Sequence, residues 1–179
     1  MKNILKEILS TSVYLLIVLL ITYLFVQYVG QRTEVVGSSM ENTLQDGDNL
    51  LVDKLSYRFS EPERFDIIVF PFQYEENTYY IKRIIGMPGE KVRIDDEGTI
   101  YINGEELKEN YGKEVIQDPG VAEREILLEN DEYFVMGDNR NNSTDSRSVN
   151  VGNICRKDIL GKAFIRIWPL SKFELLKHQ

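Results

Sequence analysis

The sequence predicts a mostly β protein, an antiparallel barrel or pair of packed sheets preceded by one N-terminal transmembrane helix. Three observations carry that expectation. No charged residue occurs over 8–31, a run of 24 positions dominated by Leu, Ile, Val and aromatics. Beyond Arg32 the pattern changes to short apolar or alternating runs separated by turn signals. Helical periodicity is weak throughout that remainder.

As a helix the uncharged run would reach roughly 36 Å, enough to cross a hydrocarbon core of about 30 Å. It exceeds the ~7–15 residue apolar core of a cleavable leader and no A-x-A-like site follows it, so an uncleaved anchor is expected. Lys2 and Lys6 lie on the near side, and the positive-inside tendency then leaves the N-terminus in the cytoplasm and the rest outside. The expected division is 1–31 for the cytoplasmic tip and anchor and 32–179 for an extracytoplasmic β-rich domain. Strands are expected over 33–36, 49–54, 67–70, 78–85, 91–95, 99–102, 132–136 and 163–168. Asp46-Gly47, Glu97-Gly98 and Asn103-Gly104 supply tight turns between them. The charged, irregular stretch 105–130 reads as a surface excursion between two halves of the β core.

Composition narrows the function. Apolar residues make up 42% of the chain, with 10 Tyr and 8 Phe, so one sizeable core can form. Residues 1–32 hold Lys2, Lys6 and Arg32 against Glu7, which leaves 18 basic and 28 acidic residues beyond them, a net of −10. So acidic a domain is a poor match for nucleic acid, whose binding needs Lys and Arg to neutralise phosphates. Cys155 is the single cysteine; it excludes an internal disulfide or a cysteine-based metal cluster and reads as a small buried hydrophobe. The single histidine, His178, is the penultimate residue, so a Ser-His-Asp triad or a histidine-bound zinc would stand on a frayed end. Any catalysis must manage without histidine.

Four segments combine strand ends with polar residues that packing alone does not require: 37–44, 64–70, 80–89 and 137–147. In the third, strand alternation sends Lys82 and Arg83 to opposite faces, so one of them is expected to point inward. A lysine among Ile81, Ile84 and Ile85 is a candidate for desolvation, which disfavours the ammonium and can lower an amine pKa of ~10.4 by up to roughly 3–5 units. A neutral amine accepts a proton, as a serine hydroxyl requires of its neighbour before it attacks. Ser39 follows a Gly37-Ser38 turn, where a hydroxyl projects and a backbone N–H faces a developing oxyanion. The ordinary readings stand beside these: lysines beside strands snorkel to water, and serines form turns. In the run beginning at Asp138, Arg140 and Ser143 occupy the third and sixth positions, where a calcium loop wants an oxygen ligand and a glycine. Asn141 and Asn142 each begin a glycosylation sequon, a pattern common by chance.

In this order and behind an anchor, the segments resemble the boxes of bacterial type I signal peptidases: Ser-Met then Thr-Leu; Asp-Ile-Ile-Val-Phe; Tyr-Ile-Lys-Arg-Ile-Ile-Gly-x-Pro-Gly; and Gly-Asp-Asn-Arg-x-Asn-Ser-x-Asp-Ser-Arg. The resemblance implies Ser39 as nucleophile, Lys82 as general base, and an acyl-enzyme on the way to hydrolysis. It implies that Ser143 orients the lysine amine, that Asp145, Arg147 and Arg83 form an ionic network fixing the loop of Ser143, and that Asp138 and Asn139 shape the turn before it. Gly37 stands where some relatives have a serine hydroxyl, which leaves the Ser39 N–H as the main oxyanion donor. Met40, Ile67, Ile68 and Tyr80 are the substrate-facing candidates, for a substrate added as a strand with small residues at the first and third positions before the cut. The implied partners are signal peptides of exported precursors and the lipid bilayer, with no nucleic acid and a monomer as the working unit; no metal or organic cofactor is implied. Asn42, Phe65 and Asn141 replace the proline, glycine and frequent aspartate of the pattern, and 149–155 lacks its usual Gly-x-Val-Pro; these departures suggest a specialised paralogue with a narrower clientele. The alternatives are a self-cleaving repressor-type protease, whose DNA-binding helices are absent here, and a membrane-tethered β module that has lost activity.

Overall fold

The computed structural model describes residues 2–28, 30–176 and 178; of the expected anchor and tail, residues 1, 29, 177 and 179 lie outside the described residues. The uncharged run forms helix α1 (Lys2–Tyr28), 27 residues long, or about 40 Å at the α-helical rise. Its apolar stretch Lys6–Leu24 has nothing packed against it. A helix apolar all round and unpartnered by protein is suited to lipid. The helix stops before the uncharged run does: Gly30 and Gln31, expected in the anchor, already pair with Asp53 and Val52 in a sheet, where backbone groups leaving the helix find partners.

Twelve strands follow: β1 (Gly30–Glu34), β2 (Asn49–Asp53), β3 (Ile67–Pro71), β4 (Tyr79–Gly86), β5 (Lys91–Ile94), β6 (Ile100–Ile102), β7 (Glu105–Glu106), β8 (Ile126–Leu127), β9 (Glu132–Met136), β10 (Ile154–Cys155), β11 (Gly161–Trp168) and β12 (Glu174–Leu175). The larger sheet has the order β1-β2-β11-β3-β4-β9-β10, with β12 on β11, and the smaller has the order β7-β6-β5-β8. Every pairing among the described residues is antiparallel. The fold is therefore the expected antiparallel β structure behind an apolar helix. The strand expected over 33–36 ends at Glu34, and Cys155, expected to be buried, is half-buried in β10.

Successive residues of β4 reach different cores. Ile81 packs with Val35, Leu44 and Val69, Ile84 with Ile68, Phe70 and Val135, and Ile85 with Val92, Phe134 and Met136 under the smaller sheet. Both faces of the strand are covered. Consequently Lys82 and Arg83, of which only one was expected inside, are both buried, at 3% and 1% exposure. The stretch 105–130 is likewise more than a surface excursion. It supplies β7 and β8 to the smaller sheet and buries Tyr111, Ile116, Ala122 and Leu128, because one sheet alone would leave the second face of β4 in water.

Gly86 is the joint. The β4–β9 register slips between Ile84 and Gly86, and there the chain leaves the larger sheet for the smaller. A Cβ on Gly86 would lie 2.6 Å from Val92 Cγ2 and 2.8 Å from Leu128 Cδ1. Replacing Gly86 by Ala therefore overpacks this junction and is expected to cost about 1–3 kcal/mol, read as a lower urea midpoint with an unchanged slope for the full chain in detergent.

Candidate active site

Two loops converge over the middle of β4. In the first, Gly37 takes a left-handed φ of 91°, which a side chain would strain, and its N–H donates to Asp46 Oδ1 at 2.7 Å. The turn after it is closed by bonds from Glu41 N to Ser38 O and from Leu44 N to Met40 O, and it is anchored by the buried Met40 and Leu44. Ser39 stands between the bend and the anchor. Among the described residues no group accepts a hydrogen bond from the N–H of Ser39, which lines the cleft. In the second loop Asn139 ties the two together: its backbone N–H donates to Ser39 O at 3.0 Å and its side-chain amide to Ser38 O at 3.0 Å. Gly137 makes the approach possible, since a Cβ there would lie 2.4 Å from Ser39 O and 2.3 Å from Ser143 Oγ.

Beneath the first loop, Lys82 Nζ lies 2.8 Å from Ser39 Oγ and donates to Ile81 O at 3.0 Å. The Tyr80 ring is 4.9 Å from the same nitrogen. Burial lowers the Lys82 pKa to about 8, with the Asp145 and Asp138 carboxylates pulling the other way. At pH 7 roughly a tenth of such an amine is neutral, against less than one part in a thousand for a solvated lysine. With its lone pair free, the nitrogen can take the Ser39 proton while still donating to the Ile81 carbonyl.

The ionic network differs from the one expected. Arg83 is joined to Asp138 rather than to Asp145: Nε donates to Oδ1 at 2.9 Å and Nη2 to Oδ2 at 2.6 Å. Asp138, expected only to shape a turn, also accepts from Thr43 Oγ1 at 2.6 Å. Asp145 pairs with Arg147 through two bonds of 2.9 Å and accepts from Gly137 N at 3.0 Å. Strand alternation is the reason for two pairs in place of one network, because Arg83 leaves β4 on the face opposite Lys82 and only Asp138 reaches it there. Ser143 lies against Gly137 beside Ser39 O. Its hydroxyl is buried with no hydrogen-bond partner, so the expected bond to the lysine amine is not made in this conformation.

A cleft of about 560 Å³ opens over the pair, lined by Val36, Ser38, Met40, Tyr80, Asn142 and Thr144 among others. Ile67 and Ile68 do not line it: β3 is flanked by β4 and β11, and both residues are buried in the core. One flank of β4 is open here, since β9 pairs with Arg83, Ile84 and Gly86 and goes no further. His178 contacts Asp66 at 2.6 Å and takes no part in the cleft. Thr43, Gly137, Arg140 and Asn142 join the site without having been assigned a role; each lies inside one of the four segments, where spacing gives no partner. Asn142 donates to Ser38 Oγ at 2.8 Å, and Arg140 pairs with Glu109 at 2.7 Å. Tyr111, whose ring lies 3.7 Å from the Arg83 guanidinium, had no signal at all.

The sequence profile of the signal peptidase family, peptidase S26, matches residues 6–168. A probable signal peptidase I-2 of Synechocystis sp. is 41% identical over 154 residues, spanning 83% of this chain and 68% of that one. A signal peptidase I of Leptolyngbya laminosa is 38% identical over 152 residues, spanning 81% and 72%. A signal peptidase IB of Staphylococcus aureus is 30% identical over 184 residues and spans 94% of each. A match that runs from the apolar helix to the end of β11, with all four segments inside it, means that this chain belongs to the signal peptidase family, peptidase S26.

Proposed function

We propose that this serine peptidase removes signal peptides with Ser39 as nucleophile and Lys82 as general base. The observation that carries the reading is the 2.8 Å separation of Nζ and Oγ around an amine that burial brings to a pKa of about 8. As Ser39 Oγ bonds to the scissile carbonyl carbon, its proton passes to Nζ, and the free Ser39 N–H meets the oxyanion. Lys82 then gives that proton to the departing amine as the C–N bond breaks, which leaves the signal peptide as an ester of Ser39. Water, losing its proton to the same amine, releases it.

The substrate lies as an added strand along the open flank of β4 over residues 79–82, opposite 33–36. Bulky Met40 and Tyr80 in the cleft leave space for small side chains at the first and third positions before the cut, an Ala-x-Ala-like preference. Helix α1 crosses the cytoplasmic membrane with its N-terminus in the cytoplasm and holds the β domain outside as a monomer. In support, the apolar helix is unpartnered, and β1 begins two residues after it ends. Neither Asn42, Phe65 nor Asn141 lines the cleft, so those departures from the family pattern give no reason to expect a narrow clientele.

Ser39→Ala and Lys82→Ala are each expected to lower kcat on an Ala-x-Ala precursor by at least about 10³-fold; cleavage by either at the parental rate removes the proposed roles. The pH dependence has a definite sign. Protonated Lys82 cannot act as base, so kcat should rise with pH through about 8 and level off above it. Stability follows the same group. Because the amine is deprotonated more easily in the folded chain than at its ordinary 10.5, stability is lowest below pH 8 and climbs between 8 and 10.5. At pH 7 Lys82→Met should therefore stabilise the inactive protein by up to about 3 kcal/mol, a gain that fades between pH 8 and 10.5; a destabilised Met variant at pH 7 contradicts the burial argument. For the orientation, protease added to intact spheroplasts should digest the β domain, and protection would reverse it.

A further inference from the structure

The Arg83–Asp138 pair is almost fully enclosed, at 2% and 0% side-chain exposure. The edge of the guanidinium is occupied by Asp138, by Thr43 Oγ1 at 3.0 Å and by Phe65 O at 3.0 Å. Its flat face is covered by Tyr111, with 3.7 Å between Cζ and the ring centroid. Tyr111 is itself only 4% exposed, although it belongs to a stretch with no strand.

What keeps an irregular segment so well placed is a set of attachments to the two loops of the active site. The Tyr111 carbonyl accepts from Asn42 Nδ2 at 2.9 Å, three residues beyond Ser39. Its ring stands against Phe65 at 5.0 Å. Its N–H donates to Glu109 Oε2 at 2.7 Å, while the other oxygen of Glu109 pairs with Arg140. Gly112 follows, where even a Cβ would press the Arg140 guanidinium at 3.3 Å. Then Lys113 N donates to Asp138 O at 2.8 Å, and the Lys113 ammonium pairs with Glu41 at 2.8 Å. Segment 109–113 is thus a strap whose ends grip both loops and whose middle presses on the ion pair between them.

We propose that Tyr111 is a positioning residue for signal-peptide cleavage. Acting through Arg83 and Asp138, it holds the turn of Ser39 in register with Lys82. The chain of contact is short. Tyr111 keeps water off the flat face of Arg83, Arg83 fixes the Asp138 carboxylate, Asp138 holds Thr43, and the neighbouring Asn139 holds the backbone of Ser38 and Ser39. Without the ring, water reaches the pair and competes for both charges. The Ser39 turn then loses the firm hold of Asp138 on Thr43. The cleft lies on the other face of β4 and does not include Tyr111, so substrate binding is untouched.

The inference rests on the Ser39–Lys82 reading, and the experiment separates the two. The full chain in detergent is compared with Tyr111→Leu and Tyr111→Phe in precursor cleavage well below the unfolding temperature, with amide hydrogen exchange on the same samples. Expected for Tyr111→Leu is a fall in kcat on the order of 10- to 100-fold with KM within about three-fold. Exchange should rise at 38–44 and 137–142 while the amides of β3 and β9 stay protected. Tyr111→Phe, which keeps the ring over Arg83, should retain clearly more of the parental kcat than Tyr111→Leu. If Tyr111→Leu does not fold, Asn42→Gly carries the test: it removes the anchor of the strap, keeps the positive φ, and should move kcat and exchange in the same direction. Unchanged kcat, an effect confined to KM, or unaltered exchange in the two loops overturns the proposal. The exchange result stands whether or not Ser39 proves to be the nucleophile.

Discussion

The Lys82 amine sits almost dry beside the Ser39 hydroxyl, and the conditions that allow a buried amine shape the structure around it. Burial of a charge is expensive unless the charge is paired, and a directly paired lysine would hold its proton tightly. The site avoids both outcomes. Two carboxylates, Asp145 and Asp138, lie close enough to be felt by the amine, yet each is already committed to an arginine. Their pull on Lys82 is smaller than the effect of burial, which prevails. An amine with a pKa of about 8 results, without any histidine.

The same requirement explains why the protein needs its smaller sheet. An amine is desolvated only if the strand carrying it is covered, and β4 carries Arg83 next to Lys82, pointing the other way. Leaving that second face in water would spare Arg83 but open the strand beneath the site. Covering it demands a partner for a guanidinium that cannot lose its proton. Asp138 is that partner, and its place one residue from Gly137 and one from Asn139 joins the ionic chemistry of one face to the Ser39 turn of the other. Gly137 is therefore constrained twice, by Ser39 O and by Ser143 Oγ.

What the sequence makes legible follows from how local each feature is. The long strands β2, β3, β4, β9 and β11 could be read from alternation and turn residues to within two or three residues at their ends, because the pattern along each is its own evidence. Strands β7, β8, β10 and β12 have two residues each, too few for any period, and exist only because a neighbour is present. Ser39 and Lys82 could be singled out as candidates only through the resemblance of the four segments taken together, since a lysine beside a strand and a serine in a glycine turn each have an ordinary reading. The partner of Arg83 could not, because the choice between Asp138 and Asp145 depends on which face of β4 each carboxylate reaches. Nor could the exclusion of Ile67 and Ile68 from the cleft, which depends on β11 inserting beside β3 from ninety residues further along.

Asn42 and Phe65 carry the argument a step further. Both adopt left-handed backbone, with φ of 101° and 73°, a conformation costly for a phenylalanine, on the order of 1–2 kcal/mol. Strain of that kind persists only where surrounding contacts outweigh it. For Phe65 those contacts are the Tyr111 ring and the core beneath the smaller sheet, and its carbonyl, turned by the same φ, accepts from Arg83. For Asn42 the compensating contact is the hydrogen bond to the Tyr111 carbonyl. Two strained residues on separate loops thus converge on one tyrosine, and relaxing either would release the strap as well as the strain. The local backbone rule is broken where the structure holds two loops in fixed relation, one of them placing Ser39 Oγ 2.8 Å from Lys82 Nζ.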